Sequence, residues 1–269
     1  MVVSSPPRNF RPDKFAGAGR IGSLFDSNAM AIMAAFTTPA TMARQQLINT
    51  FVVALKESGV WAALDVLYVL AAADSQAALI NWRNPGTFNA TAVNSPTHKV
   101  DRGFTGDGAS SRIDTTWTPN TNGIKFLQND ASAWYWGFSS GTMSTGPIGN
   151  ASVAPRVAIA PRSVADAFNG RINDNTGLAI TSITDAAGFW GMQRTASNAR
   201  TAFRNGVSIG SDTTASTGRP TQSQWILGGN ATSFSTASVS AAAWGASLAG
   251  LEARFYAAVL AYMQGVGVV

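Results

Sequence analysis

The sequence predicts a mainly β protein: an antiparallel jelly-roll β-sandwich with an extended N-terminal arm and helix and a C-terminal helix. Three observations carry this. From about residue 80, short apolar stretches alternate with clusters of Gly, Asn, Asp, Ser and Thr, the spacing of an all-β sandwich. Trp134, Trp136 and Phe138 alternate with Ala133, Tyr135 and Gly137, a period of two that sends successive side chains to opposite faces of a strand. Phe203-Arg204-Asn205-Gly206-Val207 places Asn-Gly between two strands, and these residue types most readily take the positive φ that a tight hairpin needs.

In chain order, residues 1 to about 25 read as an arm. Pro6, Pro7 and Pro12 impose extended backbone. Gly17, Gly19 and Gly22 spell G-x-G-x-x-G, but no strand precedes them and no acid lies between Asp26 and Glu57, so a dinucleotide site is rejected. Residues 39–58 are expected to be a helix starting at Pro39, with Leu47, Phe51, Ala54 and Leu55 as its apolar stripe and Gly59 as its stop. Val66–Leu70 reads as a buried strand, and Asp74 opens a helical turn over Ser75–Leu79. Strands are then expected at 112–116, 133–139, 156–160, 178–183, 188–194, 200–204, 207–210 and 224–228. Leu248, Leu251, Phe255, Val259 and Tyr262 form one face of a final helix, capped by Ser247, stopped by Gly265 and laid on the sandwich. The domain reading is an anchoring segment at 1–60 and a sandwich with its helix at 61–269.

Composition excludes several functions. There is no Cys and one His, His98, which removes disulfides, thiol nucleophiles, Cys-ligated zinc and multi-histidine metal sites. The chain carries 19 Lys+Arg against 14 Asp+Glu, for a net charge of +5. The bases are scattered, unlike a clustered nucleic-acid footprint, and the one local excess is Arg8, Arg11, Lys14 and Arg20, read as an arm that grips a neighbouring subunit. The N-terminus shows no signal-peptide apolar region, and Trp61–Ala73, broken by Asp65, falls short of the roughly 20 residues that span a bilayer.

Arg102-Gly-Phe-Thr-Gly-Asp-Gly-Ala-Ser-Ser-Arg-Ile-Asp-Thr115 resembles the opening strand pair of concanavalin-A-like, laminin-G-like jelly rolls. Phe203–Val207 resembles that family's Asn-Gly hairpin and Trp225-Ile-Leu-Gly-Gly229 the strand that follows it. Ala242-Ala-Trp-Gly-Ala-Ser-Leu248, followed by Leu251 to Tyr262, resembles its closing segment. The stretch ADSQAALINWRNPG at 73–86 is similar to the versions found among tailed-phage and prophage virion proteins. The resemblance implies a non-enzymatic bacteriophage structural protein, a head or tail fibre, spike or decoration subunit. It also implies a home on the virion, other virion proteins as partners through the arm, and a homo-oligomer, a trimer by analogy with fibres and spikes. The alternatives are a tail receptor-binding protein that recognises host-surface glycan and, behind it, a polysaccharide-degrading enzyme.

A glycosidase of this fold needs paired carboxylates, but the two glutamates, Glu57 and Glu252, fall on expected helices. His98 lies in a loop by composition and has no nucleophile elbow to serve. Asp107, between two glycines, reads as a turn-former. Calcium is the one cofactor considered, with Asp101, Asp107, Asp114 and the 173–175 loop as candidate ligands lacking diagnostic spacing. Trp134, Trp136, Trp225 and Trp244 are assigned to the core. Tyr135 and Trp190, with Asn205, are the candidates for glycan contact at a surface. Leu47, Phe51 and Leu55 are candidates for an oligomer seam or for packing on the sandwich. The sequons at Asn89, Asn150 and Asn230 read as ordinary turns.

Overall fold

The computed structural model describes residues 25–143, 145–150, 154–230 and 232–269. Its elements begin with α1 (Ser27–Ala34), α2 (Met42–Glu57), α3 (Val60–Ala63), β1 (Leu64–Val69) and α4 (Ser75–Ala78). There follow β2 (Thr91–Val93), β3 (Thr97–Lys99), β4 (Gly103–Thr105), β5 (Arg112–Asp114), α5 (Pro119–Asn122), β6 (Ala131–Gly137), β7 (Ile148–Asn150) and β8 (Arg156–Ala160). The remainder are β9 (Phe168–Asp174), β10 (Leu178–Ile180), β11 (Gly188–Ala196), β12 (Ala199–Arg204), β13 (Val207–Asp212), β14 (Gln224–Ile226), β15 (Gly228–Asn230), β16 (Ser233–Phe234), β17 (Ser238–Gly245) and α6 (Glu252–Gly265).

The protein is an antiparallel β-sandwich with helices packed on one sheet. The inner sheet runs β13-β12-β11-β6-β17-β4-β3, with β1 also paired to β17. The outer sheet runs β10-β9-β8-β7-β14-β5-β2. Every strand pair described is antiparallel.

The inner sheet is covered on both faces. Tyr68, Tyr135, Trp190, Met192 and Trp244 pack between the sheets with Ile148, Val157, Ile159, Phe168 and Ile172. Their neighbours Trp134, Trp136, Phe189, Phe203, Ala241 and Ala243 point the other way, into a second core with Phe51, Leu55, Phe255, Val259 and Tyr262 of the helices. All seven residues of β6 are therefore buried. Large and small side chains alternate across this sheet: Trp134 pairs with Gly191 on one side and Ala243 on the other. A side chain on Gly191 would lie 2.1 Å from the Trp134 ring, so the glycine makes the indole's seat. Phe255 of α6 closes over it, 5.9 Å from Trp134 and 5.1 Å from Phe189 between ring centres.

The helices show why some expected boundaries shift. Helix α2 starts at Met42, because the Thr41 hydroxyl accepts the Arg44 N–H and caps the first turn; Pro39 lies outside it. Its C-terminal stop, Gly59 at φ 84°, is as expected. Ser247 caps nothing: its N–H donates to Asp130 Oδ1, Gly250 turns the chain at φ 82°, and α6 begins only at Glu252. Asp74 caps α4 through the Ala77 N–H at 2.8 Å. The division placed at 60/61 meets the start of α3, and α2 and β1 bury side chains in one shared core, so the helix is part of the sandwich body.

The seam reading of the helix stripe is corrected by the same packing. Phe51 and Leu55 are buried within the chain, with Phe51 5.2 Å from the Tyr262 ring, and Leu47 is half-buried. The arm with Arg8, Arg11, Lys14 and Arg20 lies outside the described residues.

Candidate functional site

The outer face of the outer sheet is the face that the fold leaves open. Along β8, Val157 and Ile159 point into the core, which turns Arg156, Ala158 and Ala160 outward. Along β9, Phe168 and Ile172 point inward, which turns Asn169 and Arg171 outward. The register sets Arg171 beside Ala158 and Asn169 beside Ala160. Two long polar side chains thus stand next to two methyl groups, and a trough results.

Glycines extend the trough floor. A side chain on Gly146 would lie 2.3 Å from the Ile159 carbonyl oxygen, and one on Gly229 would meet Thr145 at 2.8 Å. The rim adds Met143, Thr145, Ser163 and Ser233, and the groove encloses about 290 Å³. Among the described residues, its lining contains two guanidinium groups, an amide and three hydroxyls, and no carboxylate.

Arg171 is held in place. Its Nε donates to the Asn175 carbonyl at 3.1 Å and its Nη1 to Asn169 Oδ1 at 3.0 Å. Burial and then the neighbouring Arg156 lower the pKa of this guanidinium, Asp174 works the other way, and Arg200 lowers it further.

Behind the groove the two sheets are joined by charge. Asp174 accepts Nη2 of Arg194 at 2.8 Å and Nη1 of Arg200 at 2.8 Å, with all three residues buried. Arg194 also donates to the carbonyls of Ile172, Ser197 and Thr214. A buried pair of this kind persists only when its donors are satisfied in this way.

The sequence-derived candidates fall elsewhere. Tyr135 and Trp190 are 1% and 0% exposed, which corrects their placement on a surface: they face the sandwich interior, and helices cover the other side of their strands. Trp190 Nε1 donates to the Ala186 carbonyl, while the Arg204 guanidinium lies 4.9 Å from its ring. Asn205, at φ 51°, accepts the Phe189 N–H with its amide oxygen, so its side chain ties the hairpin turn to β11. Trp134, Trp136, Trp225 and Trp244 are buried.

The acidic candidates are dispersed. Asp101 pairs with Arg44 at 2.6 Å. Asp107 accepts the N–H groups of Ala109, Ser110 and Ser111, a turn held by one carboxylate, and these bonds keep its pKa well below the usual range. Asp114 accepts from the Thr116 N–H and from Trp225 Nε1. Asn173 and Asp174 end strand β9 rather than lying in a loop, and Asp174 is taken by the buried arginines. No group of three metal-ligating side chains forms among the described residues. Glu57 lies on α2, and Glu252 opens α6, where it accepts Gln193 Nε2 at 2.7 Å. His98 is in β3 rather than a loop, half-buried with its ring 4.8 Å from Phe104, and burial lowers its pKa.

Sequence reasoning missed Arg156, Asn169, Arg171 and Ser163. The available signal was the alternation Arg-x-Ala-x-Ala in β8 and Asn-x-Arg in β9, which turns polar groups onto one face beside small residues.

No family model matches the chain, and no curated protein matches it. Solved structures do. A mutant of Trypanosoma rangeli sialidase displaying trans-sialidase activity superposes with a TM-score of 0.51 at 10% identity, over 82% of this chain and 40% of that one. Two mutants of HCR/D give TM-scores of 0.54 and 0.52 at 9% and 10% identity, each over 74% of this chain and 52% of theirs. The chain spans about half the length of these proteins or less. Likeness at this identity is likeness of fold, and it agrees with the antiparallel sandwich.

Proposed function

We propose that the chain is a non-catalytic structural subunit of a tailed-phage virion that displays this sandwich and binds host-surface saccharide through the outer-sheet groove. The virion part rests on the sequence resemblance. The binding part rests on one observation: a groove lined by Arg156, Arg171, Asn169 and hydroxyls over a floor of Ala and Gly. Such a surface suits sugar hydroxyls and a ring lying flat. Glycoside hydrolysis by paired carboxylates needs two such groups roughly 5–9.5 Å apart, and the described lining residues supply none.

The particle-bound form is proposed to be a homo-oligomer, a trimer by analogy, joined through surfaces other than the buried α2 stripe. Two measurements test the reading together. Labelling of intact particles with an antibody to this chain is expected to decorate them. The purified chain is expected to bind host polysaccharide without shortening it. Unlabelled particles would remove the virion assignment, and turnover of the polymer would remove the non-catalytic one.

A further inference from the structure

We propose that His98 makes strand β3 an acid-released cover on the inner sheet: protonation of its ring frees β3 from β4 and opens the β4 edge.

The placement of the ring carries the argument. Among the described residues, β3 is the last strand of the inner sheet and pairs with β4 alone. It has three residues, and Thr97 and Lys99 are exposed. His98 stands opposite Phe104 in the ladder, so the two side chains share a face. Phe104 is buried in the core between the sheets, and the imidazole lies 4.8 Å from its ring. His98 is therefore the side chain by which β3 touches the core. Its Nε2 is closed off from solvent and has no hydrogen-bond partner among the described residues.

A neutral imidazole suits that seat and an imidazolium does not. The charged ring is a donor at both nitrogens, and burying an N–H without an acceptor is costly. The Leu70 carbonyl, Asp74 and Asp101 all favour the charged ring, but burial outweighs the three together and lowers its pKa. Both carboxylates have other work. Asp74 caps α4 through the Ala77 N–H, and Asp101, in the β3–β4 turn, is paired with Arg44 of α2 at 2.6 Å. Tyr262 of α6 lies beside Arg44, and burial raises its pKa to about 12, so it stays neutral.

Release of β3 returns His98 to water, where the ordinary value of 6.5 applies. The open form thus binds the proton more readily than the closed form. Below pH 6.5 the opening equilibrium grows by up to about tenfold per pH unit, until the lower value of the closed form is passed. A ladder of three residues is the part of the sheet that can yield, whereas β6 is buried along its whole length. The turn stays tethered, because Asp101 donates its N–H to the Ala72 carbonyl at 3.0 Å and holds Arg44. Opening therefore uncovers Phe104 and the backbone of Gly103–Thr105, an edge to which a strand of another chain can pair.

The test follows hydrogen exchange of the full chain, corrected for intrinsic rates, from pH 7.5 to 5, together with the ring protons of its single histidine by NMR. Protection over 97–105 is expected to fall by at least about threefold across that range, while protection in β6 holds. The ring is expected to titrate below 6.5. His98→Gln, which leaves Asp74 and Asp101 in place, is expected to remove the pH dependence of 97–105. Constant protection over 97–105 in the wild-type chain overturns the proposal. So does the same pH dependence in His98→Gln, or a ring that titrates at 6.5 or above. If His98→Gln does not fold, the wild-type exchange and the ring titration decide between them.

Discussion

Arg200 reaches from the inner sheet to the outer one and sets its Nη1 2.8 Å from both carboxylate oxygens of Asp174. The pair joins β12 to β9, two strands that share no ladder. Arg194, one strand over, donates to the same carboxylate. One acid is therefore shared by two buried cations at the sandwich seam, and Asp212 adds a second partner to Arg200.

Asp174→Asn is the direct probe of that arrangement. It keeps the shape and removes the charge, leaving Arg194 buried without its anion and Arg200 with Asp212 alone. Loss of one partner of a buried pair costs about 3–5 kcal/mol, so the thermal midpoint is expected to drop by many degrees. A melt within a degree or two of wild type would show that the network holds nothing together.

Asp212 contributes to the acid limb of stability. Its bonds to Arg200 keep its pKa at about 2, below the ordinary 3.8, against the opposing effect of burial. A depressed carboxylate contributes stability that is complete above the unfolded value and is lost as protons bind the folded form. Urea midpoints are expected to fall as pH goes from about 4 to about 2. Asp212→Asn is expected to be less stable at neutral pH and to show a shallower acid slope. An unchanged slope would refute the assignment.

Phe255 is the wedge between α6 and the indole of Trp134. Phe255→Ala leaves a hole that the ring stack around Trp134 and Phe189 cannot collapse into, at about 3–5 kcal/mol. The helix should also loosen first, and hydrogen exchange along 252–265 should rise ahead of that in β6. Uniform exchange across both segments would contradict the layered account.

Tyr135→Phe should go the other way. The hydroxyl is buried and has no hydrogen-bond partner among the described residues, and burial raises its pKa well above the ordinary tyrosine value. Removing an unsatisfied buried hydroxyl is expected to be neutral or to stabilise by about 1 kcal/mol. Loss of stability would mean that this oxygen has a partner after all.

Much of the sandwich was legible in the sequence, and the exceptions have physical causes. The Asn205-Gly206 hairpin was readable because positive φ at adjacent positions selects those residues. The 156–160 strand was readable from its alternation. Strand β9 went unseen because Asn169, Gly170, Arg171, Asn173 and Asp174 are poor strand formers, held there by pairing with β8 and by the buried charges. Strand β17 was noticed only through the family resemblance, since Ala241, Ala242 and Ala243 carry little strand propensity. They are there because Trp136, Tyr135 and Trp134 lie opposite and need the room. Tyr135 and Trp190 were misplaced for a related reason: a period of two shows that a strand has two faces, not that helices cover one and a second sheet the other. The groove was not readable as a site because the alternation in each strand turns Arg156 and Arg171 outward without showing that β8 and β9 pair.

The position of β17 sets birth order against spatial order. It is an interior slat of its sheet, flanked by β6 on one edge and by β4 and β1 on the other, and all three are made earlier in the chain. Until β17 is made, β1 and β6 lack the strand that joins them through Tyr68, Trp134 and Trp136. Closure awaits residues 238–245, so long-range pairing of this kind makes maturation slow and gives chaperones a window in which to shield the gap.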